Sequence, residues 1–165
     1  MFDLKKLDRE AVPEALEKAE RYRLLNEPAE AQSICLDVLE VEPDNQKALV
    51  TLLLALTDEF GESGTMEQAR AVLPRLGEEY DRHYYAGIIC ERRAKALLHN
   101  DTAGSRHIAY DWFREAMSWY EKAEAIRPAS NADTLLRWNT CARILMRNPD
   151  LRPVVEEPGY EPVLE

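Results

Sequence analysis

The residue types that could support catalysis fall in one short segment, which holds His83, Cys90 and Glu91. A cysteine next to a histidine can act as a nucleophile, because the imidazole accepts the thiol proton. On a single helix, however, positions 83 and 90 lie two turns and about 10 Å apart along the axis. That separation is too long for a hydrogen bond. We therefore expect neither a nucleophile–base pair nor enzymatic activity.

No pattern for metal or cofactor chemistry replaces this pair. The sequence has no H-x-x-x-H or H-x-x-E-H run that would offer zinc ligands, and no glycine-rich loop of the phosphate-binding type. Its cysteines, Cys35, Cys90 and Cys141, are far apart, and each falls within an apolar helical pattern. We therefore expect buried free thiols in a reducing cytoplasm, and no metal or other cofactor.

The same region also contains a basic and aromatic segment whose chemistry suits binding. Its members are His83, Tyr84, Tyr85, Arg92, Arg93 and Lys95. These side chains could hold an acidic peptide through charge-assisted hydrogen bonds; alternatively, one tyrosine packs in the core and the arginines simply face water. One hypothesis is that the acidic end of this same chain docks here and competes with the true partner.

The charge balance restricts the classes of partner. The chain has 165 residues and a formal net charge of -10. Such a charge repels phosphate backbones and anionic lipid surfaces, so we expect neither nucleic acid nor a membrane as a general partner. No stretch approaches the roughly 20 apolar residues that a membrane span needs. The first residues also show no apolar run of signal-peptide length, and we expect a cytoplasmic protein.

Helices must position these residues, since helix-forming residues dominate and strand-like alternation is absent. The periodicity and the breakers predict an all-α protein in which Pro74 interrupts the fourth helix. Residues 1–12 are interpreted as a lead-in, 13–148 as a helical repeat domain, and 149–165 as an acidic, proline-rich tail that is extended or disordered. The sixth helix is predicted to bury Ile108, Trp112, Ala116, Trp119, Tyr120 and Ala123. The three tryptophans are interpreted as core, although Trp138 could instead be exposed for recognition.

A pattern of small residues, an aromatic and a late proline recurs along the chain. It reads Ala116-x3-Tyr120-x2-Ala123-x4-Pro128, with a degraded copy from Ala31 to Pro43 and a weaker echo that begins at Ala69. This pattern resembles the tetratricopeptide repeat (TPR), a helix–turn–helix unit of about 34 residues. The resemblance implies a right-handed solenoid of about three helical pairs, closed by a C-terminal capping helix.

In the TPR family the first helix of each pair lines a concave groove, and the resemblance implies which residues lie there. The groove residues would be Leu16, Glu20, Arg23, Lys47, Val50, Leu54, Asp58, Tyr84, Ile88, Arg92 and Lys95. The register of the third pair is open. If Gly87 is the close-packing glycine, the groove residues there are Tyr84, Ile88 and Arg92, whereas a strict count gives Tyr85, Ile88, Arg92 and Lys95. Val50 and Leu54 could instead fill the core.

The resemblance favours a non-catalytic scaffold that binds another protein or a peptide. Some members of the family grip chaperone carboxylates with paired lysines and asparagines, but the corresponding positions here are Leu16, Glu20, Val50 and Leu54, so that ligand is disfavoured. Two alternatives stay open. One is a dedicated cytoplasmic chaperone for an apolar client segment, and the other is a subunit that self-associates, for example as a homodimer, through its long third pair.

Overall fold

The computed structural model describes residues 1–61 and 64–154. This part of the chain is all-α, as predicted, and contains seven α-helices, two short 3-10 helices and no strand. The 3-10 helices are Arg9–Ala11 and Leu73–Arg75. The α-helices are α1 (Val12–Leu24), α2 (Pro28–Val41), α3 (Gln46–Asp58), α4 (Thr65–Val72), α5 (Glu79–Asn100), α6 (Ser105–Glu124) and α7 (Asp133–Arg147).

The helix ends follow from local chemistry. Pro13 and Pro28 lie in the first turns of α1 and α2, where a missing N–H costs no hydrogen bond. Asn45 caps α3, because its side chain accepts a hydrogen bond of 2.9 Å from the backbone N–H of Ala48. Pro74 ends α4 early, and the chain continues as the 3-10 helix. These short, sharply bounded helices bring the chain back on itself repeatedly.

Each helix packs on its neighbours in the chain, and the odd-numbered helices also meet one another. The most extensive contact joins α5 and α6, while α1 touches α3 and α3 touches α5. The buried apolar residues form one cluster that lies mainly in α1–α4 and also includes Leu76 and Ile89, and a second that lies mainly in α5–α7 and also includes Leu151. Leu54 and Tyr85 pack against both clusters. The two clusters therefore meet between α3 and α5.

The buried face of α6 differs from the predicted one. Its buried residues are Ser105, Ala109, Phe113, Ala116, Met117, Tyr120 and Ala123. Ile108 is 51% exposed, so its prediction as an inner-face residue is wrong, whereas Trp112 and Trp119 are half-buried and pack against the second apolar cluster. The buried face of α6 is centred on Ala109 and Phe113, each one residue after the predicted Ile108 and Trp112. Trp112 and Trp119 therefore lie at the edge of this face.

After α7 the chain turns back and packs against the start of α6. Leu151 is buried in the second apolar cluster, and Asp150 forms an ion pair with Arg106. The Nδ1 atom of His107 lies 2.8 Å from the carbonyl oxygen of Arg152. Residues 149–154 are thus non-helical but anchored. The remainder of the predicted acidic tail, 155–165, lies outside the described residues.

Candidate functional site

A cleft of about 550 Å³ opens on the side of the molecule where the odd-numbered helices meet. Helices α1, α3, α5 and α7 all contribute side chains to it. Its lining consists of Arg23, Leu24, Asn26, Thr57, Asp58, Phe60, Arg92, Lys95, Ala96 and Arg137. Four of these are cationic and one is anionic, which is opposite to the balance of the whole chain.

Asp58 joins three helices at one side of the cleft. Arg23 of α1 donates to it through two nitrogen atoms, with Nε 2.7 Å from Oδ2 and Nη2 3.2 Å from Oδ1. Arg92 of α5 donates to Oδ1 as well. The Asp58 side chain is only 17% exposed, so both contacts are partly shielded from water. The two-point contact fixes the orientation of the Arg23 guanidinium group, whereas Arg92 is held by a single contact.

Glu91 joins three helices at the other side of the cleft, and it is fully buried. The Tyr120 hydroxyl of α6 donates to it at 2.6 Å, and the Lys95 ammonium group approaches it at 2.6 Å. Arg137 of α7 donates through both Nε and Nη2. Burial, together with the negative charge of Glu91, raises the pKa of Tyr120 above its ordinary range. The phenol therefore stays protonated and holds the carboxylate in place.

These two networks leave the cleft with excess positive charge. The cations Arg23, Arg92, Lys95 and Arg137 share the carboxylates of Asp58 and Glu91. Four positive charges thus face two negative ones. Leu24 is exposed and Phe60 is half-buried at the same cleft, so its surface is also partly apolar. This arrangement suits a ligand that carries carboxylates together with apolar groups.

The structure brings four of the predicted groove residues together in this cleft, namely Arg23, Asp58, Arg92 and Lys95. Glu20 and Lys47 form an ion pair of 3.5 Å, with both side chains about half exposed, and they do not line the cleft. Val50 and Leu54 are half-buried and pack against the apolar clusters, which agrees with the alternative prediction that they fill the core. Only part of the implied groove is therefore available as one surface.

Two of the predicted groove residues are buried in the free chain. Leu16 and Ile88 are each only 5% exposed and belong to the first and second apolar clusters. They lie on the sides of α1 and α5 that face neighbouring helices. A helical period identifies residues on one side of a helix, but it does not show which of them a neighbouring helix covers.

The geometry at Gly87 bears on the open register of the third pair. A Cβ atom at this position would lie 2.5 Å from Cε1 of Tyr120, which is closer than side-chain atoms approach. Glycine is thus the residue that lets α5 and α6 pack at this point, as the first register assumed. The cleft itself contains Arg92, which both registers share, and Lys95, which only the strict count gives, but not Tyr84.

The structure divides the basic and aromatic segment between several surfaces. Tyr84 stacks on Tyr80 with ring centroids 5.9 Å apart and meets Tyr85 edge-on at 5.1 Å. Burial raises the pKa of both Tyr84 and Tyr85 to about 12. His83 instead stacks on Trp119 of α6, and Arg93 lines a separate hollow next to Phe60 and Gly64. The segment is thus not a single binding surface.

The ion pair between Glu91 and Arg137, which joins α5 to α7 beside the cleft, was not predicted from the sequence. They are 46 residues apart in the chain, and neither belongs to a recognisable motif. One signal was present, since Glu91 interrupts the apolar run from Ala86 to Cys90 on α5. An acidic residue at the edge of such a run predicts a buried carboxylate with a cationic partner, although it does not identify that partner.

The thiols and the candidate ligand groups show no reactive arrangement in the described residues. Burial raises the pKa of Cys35, Cys90 and Cys141 to about 12 each, so all three stay protonated near neutral pH. No group of three or more potential metal ligands occurs among residues 1–61 and 64–154. In the same ranges, none of the helices combines the length and the apolar character needed to cross a bilayer.

Searches against protein-family models, curated proteins and solved structures each returned no match to this chain.

Proposed function

We propose that this protein is a non-catalytic scaffold of the tetratricopeptide type, in which α1–α2, α3–α4 and α5–α6 are the helical pairs and α7 is the cap. Two features support the proposal. Successive helices pack on one another, and odd-numbered helices contact the next odd-numbered helix. The small residues of the repeated pattern, Ala31, Ala69, Ala116 and Ala123, are all fully buried, as close helix packing requires. In this proposal the protein works in a reducing cytoplasm, which agrees with its protonated, unpaired thiols.

The ligand in this proposal is an acidic, partly apolar peptide segment of another protein, held in the cleft between α1, α3, α5 and α7. The observation that carries it is the sharing of two carboxylates among four cations in a chain of net charge -10. Arg92 and Arg23 each have N–H groups that are not used by Asp58 and could donate to a ligand carboxylate. Leu24 and Phe60 offer apolar contact beside them.

The test is a binding titration with fluorescently labelled synthetic peptides that alternate glutamate and leucine. The matched peptides replace glutamate by glutamine or by lysine. We expect only the acidic peptide to bind, with an affinity that falls as salt is added. Losing a charged hydrogen-bond donor costs about 1.5–3 kcal/mol, so Arg92→Gln should weaken binding at least about tenfold.

The matched control is Lys18→Gln, which changes the net charge equally on an exposed part of α1. Among the residues that the structure describes, Lys18 pairs only with Glu14, at 3.5 Å, and both side chains are more than half exposed. We expect this variant to bind the acidic peptide like the wild type. Equal losses in Arg92→Gln and Lys18→Gln would mean that only overall charge matters, and the cleft would then not be the site.

Self-association is a second candidate function, because α7 exposes large apolar side chains. Leu135, Leu136 and Met146 are 45%, 57% and 79% exposed. A helix at the end of a repeat array leaves such a surface uncovered, and a second copy could cover it. Sedimentation velocity over a range of concentrations separates the two proposals, and Leu136→Gln should abolish any dimer formed through α7. A dimer that survives this substitution would point to the long α5–α6 pair instead.

A further inference from the structure

The segment that follows α7 is held at a defined place. Three contacts fix it, namely burial of Leu151, the ion pair between Asp150 and Arg106, and the contact of His107 with the Arg152 carbonyl. The last two involve Arg106 and His107 in the first turn of α6. Residues 155–165 therefore continue from a point next to the start of α6.

The start of α6 lies within reach of the cationic cleft. Helices α5 and α6 pack side by side and are joined by residues 101–104, so the beginning of α6 is level with the end of α5. Arg92 precedes the last residue of α5 by eight positions, which is about 12 Å along the helix axis. Eleven residues span up to about 36–40 Å when extended. An extended segment of this length is about three times as long as that axial separation.

The chemistry of this segment matches the ligand proposed for the cleft. Residues 155–165 contain four glutamates and no lysine or arginine. Tyr160 and Leu164 add apolar side chains between the acidic ones. The cleft offers two uncompensated positive charges next to Leu24 and Phe60. Charge and apolar character are therefore complementary.

We infer that residues 155–165 occupy the cationic cleft of their own chain and exclude external acidic peptides from it. This inference rests on the proposed function of the cleft. The segment thus acts as a built-in competitor, and a partner gains access when it displaces the segment. A short tether gives an effective concentration of the order of 1 mM. A segment that bound the cleft with a Kd of about 100 µM would then lower the apparent affinity for an external peptide roughly tenfold.

The test compares three proteins with one probe, a labelled synthetic peptide of residues 155–165. The first protein is the full chain, and the second ends after Val154, which keeps the buried Leu151 in place. The third has full length but carries glutamine in place of the four glutamates, so the tether is kept without its charge. Circular dichroism verifies that all three are folded. Fluorescence anisotropy then gives the affinity of each protein for the probe.

We expect the shortened protein and the glutamine variant to bind the probe about tenfold more tightly than the full chain. Adding Arg92→Gln to the shortened protein should remove this gain. Equal affinities of the full and shortened chains would overturn the inference while leaving the cleft a peptide site. If no protein binds either the probe or the alternating glutamate–leucine peptide, the proposed function fails as well.

Discussion

Replacing Glu91 by glutamine should destabilise the protein, because it removes the carboxylate charge that links α5, α6 and α7. The substitution preserves side-chain volume, so it leaves no cavity. The remaining amide oxygen can still accept a hydrogen bond from Tyr120 or from Arg137, but the new NH2 group faces the donors of Arg137 and Lys95. The variant therefore loses its ion pairs with Arg137 and Lys95 while the helices keep their apolar contacts.

The size of the loss follows from how well the remaining cations can be hydrated. Breaking a buried ion pair costs about 3–5 kcal/mol when the surviving charge stays buried. Here the Arg137 and Lys95 side chains are 30% and 42% exposed, so both can regain water. We expect a smaller loss in the free energy of unfolding, about 2 kcal/mol. For a chain of this size that lowers the melting temperature by about 4–8 °C.

Urea and thermal unfolding followed by circular dichroism at neutral pH measure this loss. The matched control is Glu14→Gln on α1, since Glu14 is 74% exposed and its ion pair with Lys18 is long, at 3.5 Å. We expect the control to change the free energy of unfolding by less than about 0.5 kcal/mol. If the two variants were equally stable, Glu91 would not be the charged centre that joins the three helices.

Two further predictions concern packing at the same helices. Gly87→Ala should cost about 1–3 kcal/mol in urea unfolding, because the new Cβ would lie 2.5 Å from the buried Tyr120 ring. In the control Gly77→Ala the nearest neighbour of the new Cβ is Gln46 Oε1 at 3.8 Å, so the free energy of unfolding should change by less than about 0.5 kcal/mol. Similar losses in both variants would contradict the close approach at Gly87. Burial holds the pKa of Tyr84 and Tyr85 at about 12, above the ordinary 10.0, so the stability they contribute is present below pH 10 and is lost as the pH rises through 12. Tyrosinate absorbance, recorded together with circular dichroism, follows this transition, and ionisation of both at the ordinary value in the folded protein would show that they are not buried.

The boundaries of the helices could be predicted from the sequence, because they depend on local chemistry. Proline in a first turn, asparagine before α3 and Pro74 within α4 each act through their own backbone or the next few residues. The buried face of α6 was less predictable. Both Ile108 and Ala109 fit a helical period, and only the position of α5 decides which of the two is covered.

The cleft was predictable in part, for a related reason. Arg23, Asp58 and Arg92 were identified because the resemblance to a repeat gave their positions, and the structure brings them together. Arg137 had no such signal, since its partner Glu91 lies 46 residues away and the pairing depends on how α7 docks on α5 and α6. Ion pairs between distant segments depend on tertiary packing, so helical periodicity and motifs in a single sequence do not predict them.

The carboxylate of Glu91 links the stability of the fold to the charge of the cleft. It partly neutralises Lys95 and Arg137, both of which line that cleft. Glu91→Gln removes this negative charge, so the cleft should carry three uncompensated positive charges instead of two. In a protein shortened after Val154, the variant should then bind an acidic peptide more tightly even though it unfolds more easily. Loosened packing alone would lower stability and affinity together, so opposite signs of the two changes distinguish an electrostatic centre from a packing residue.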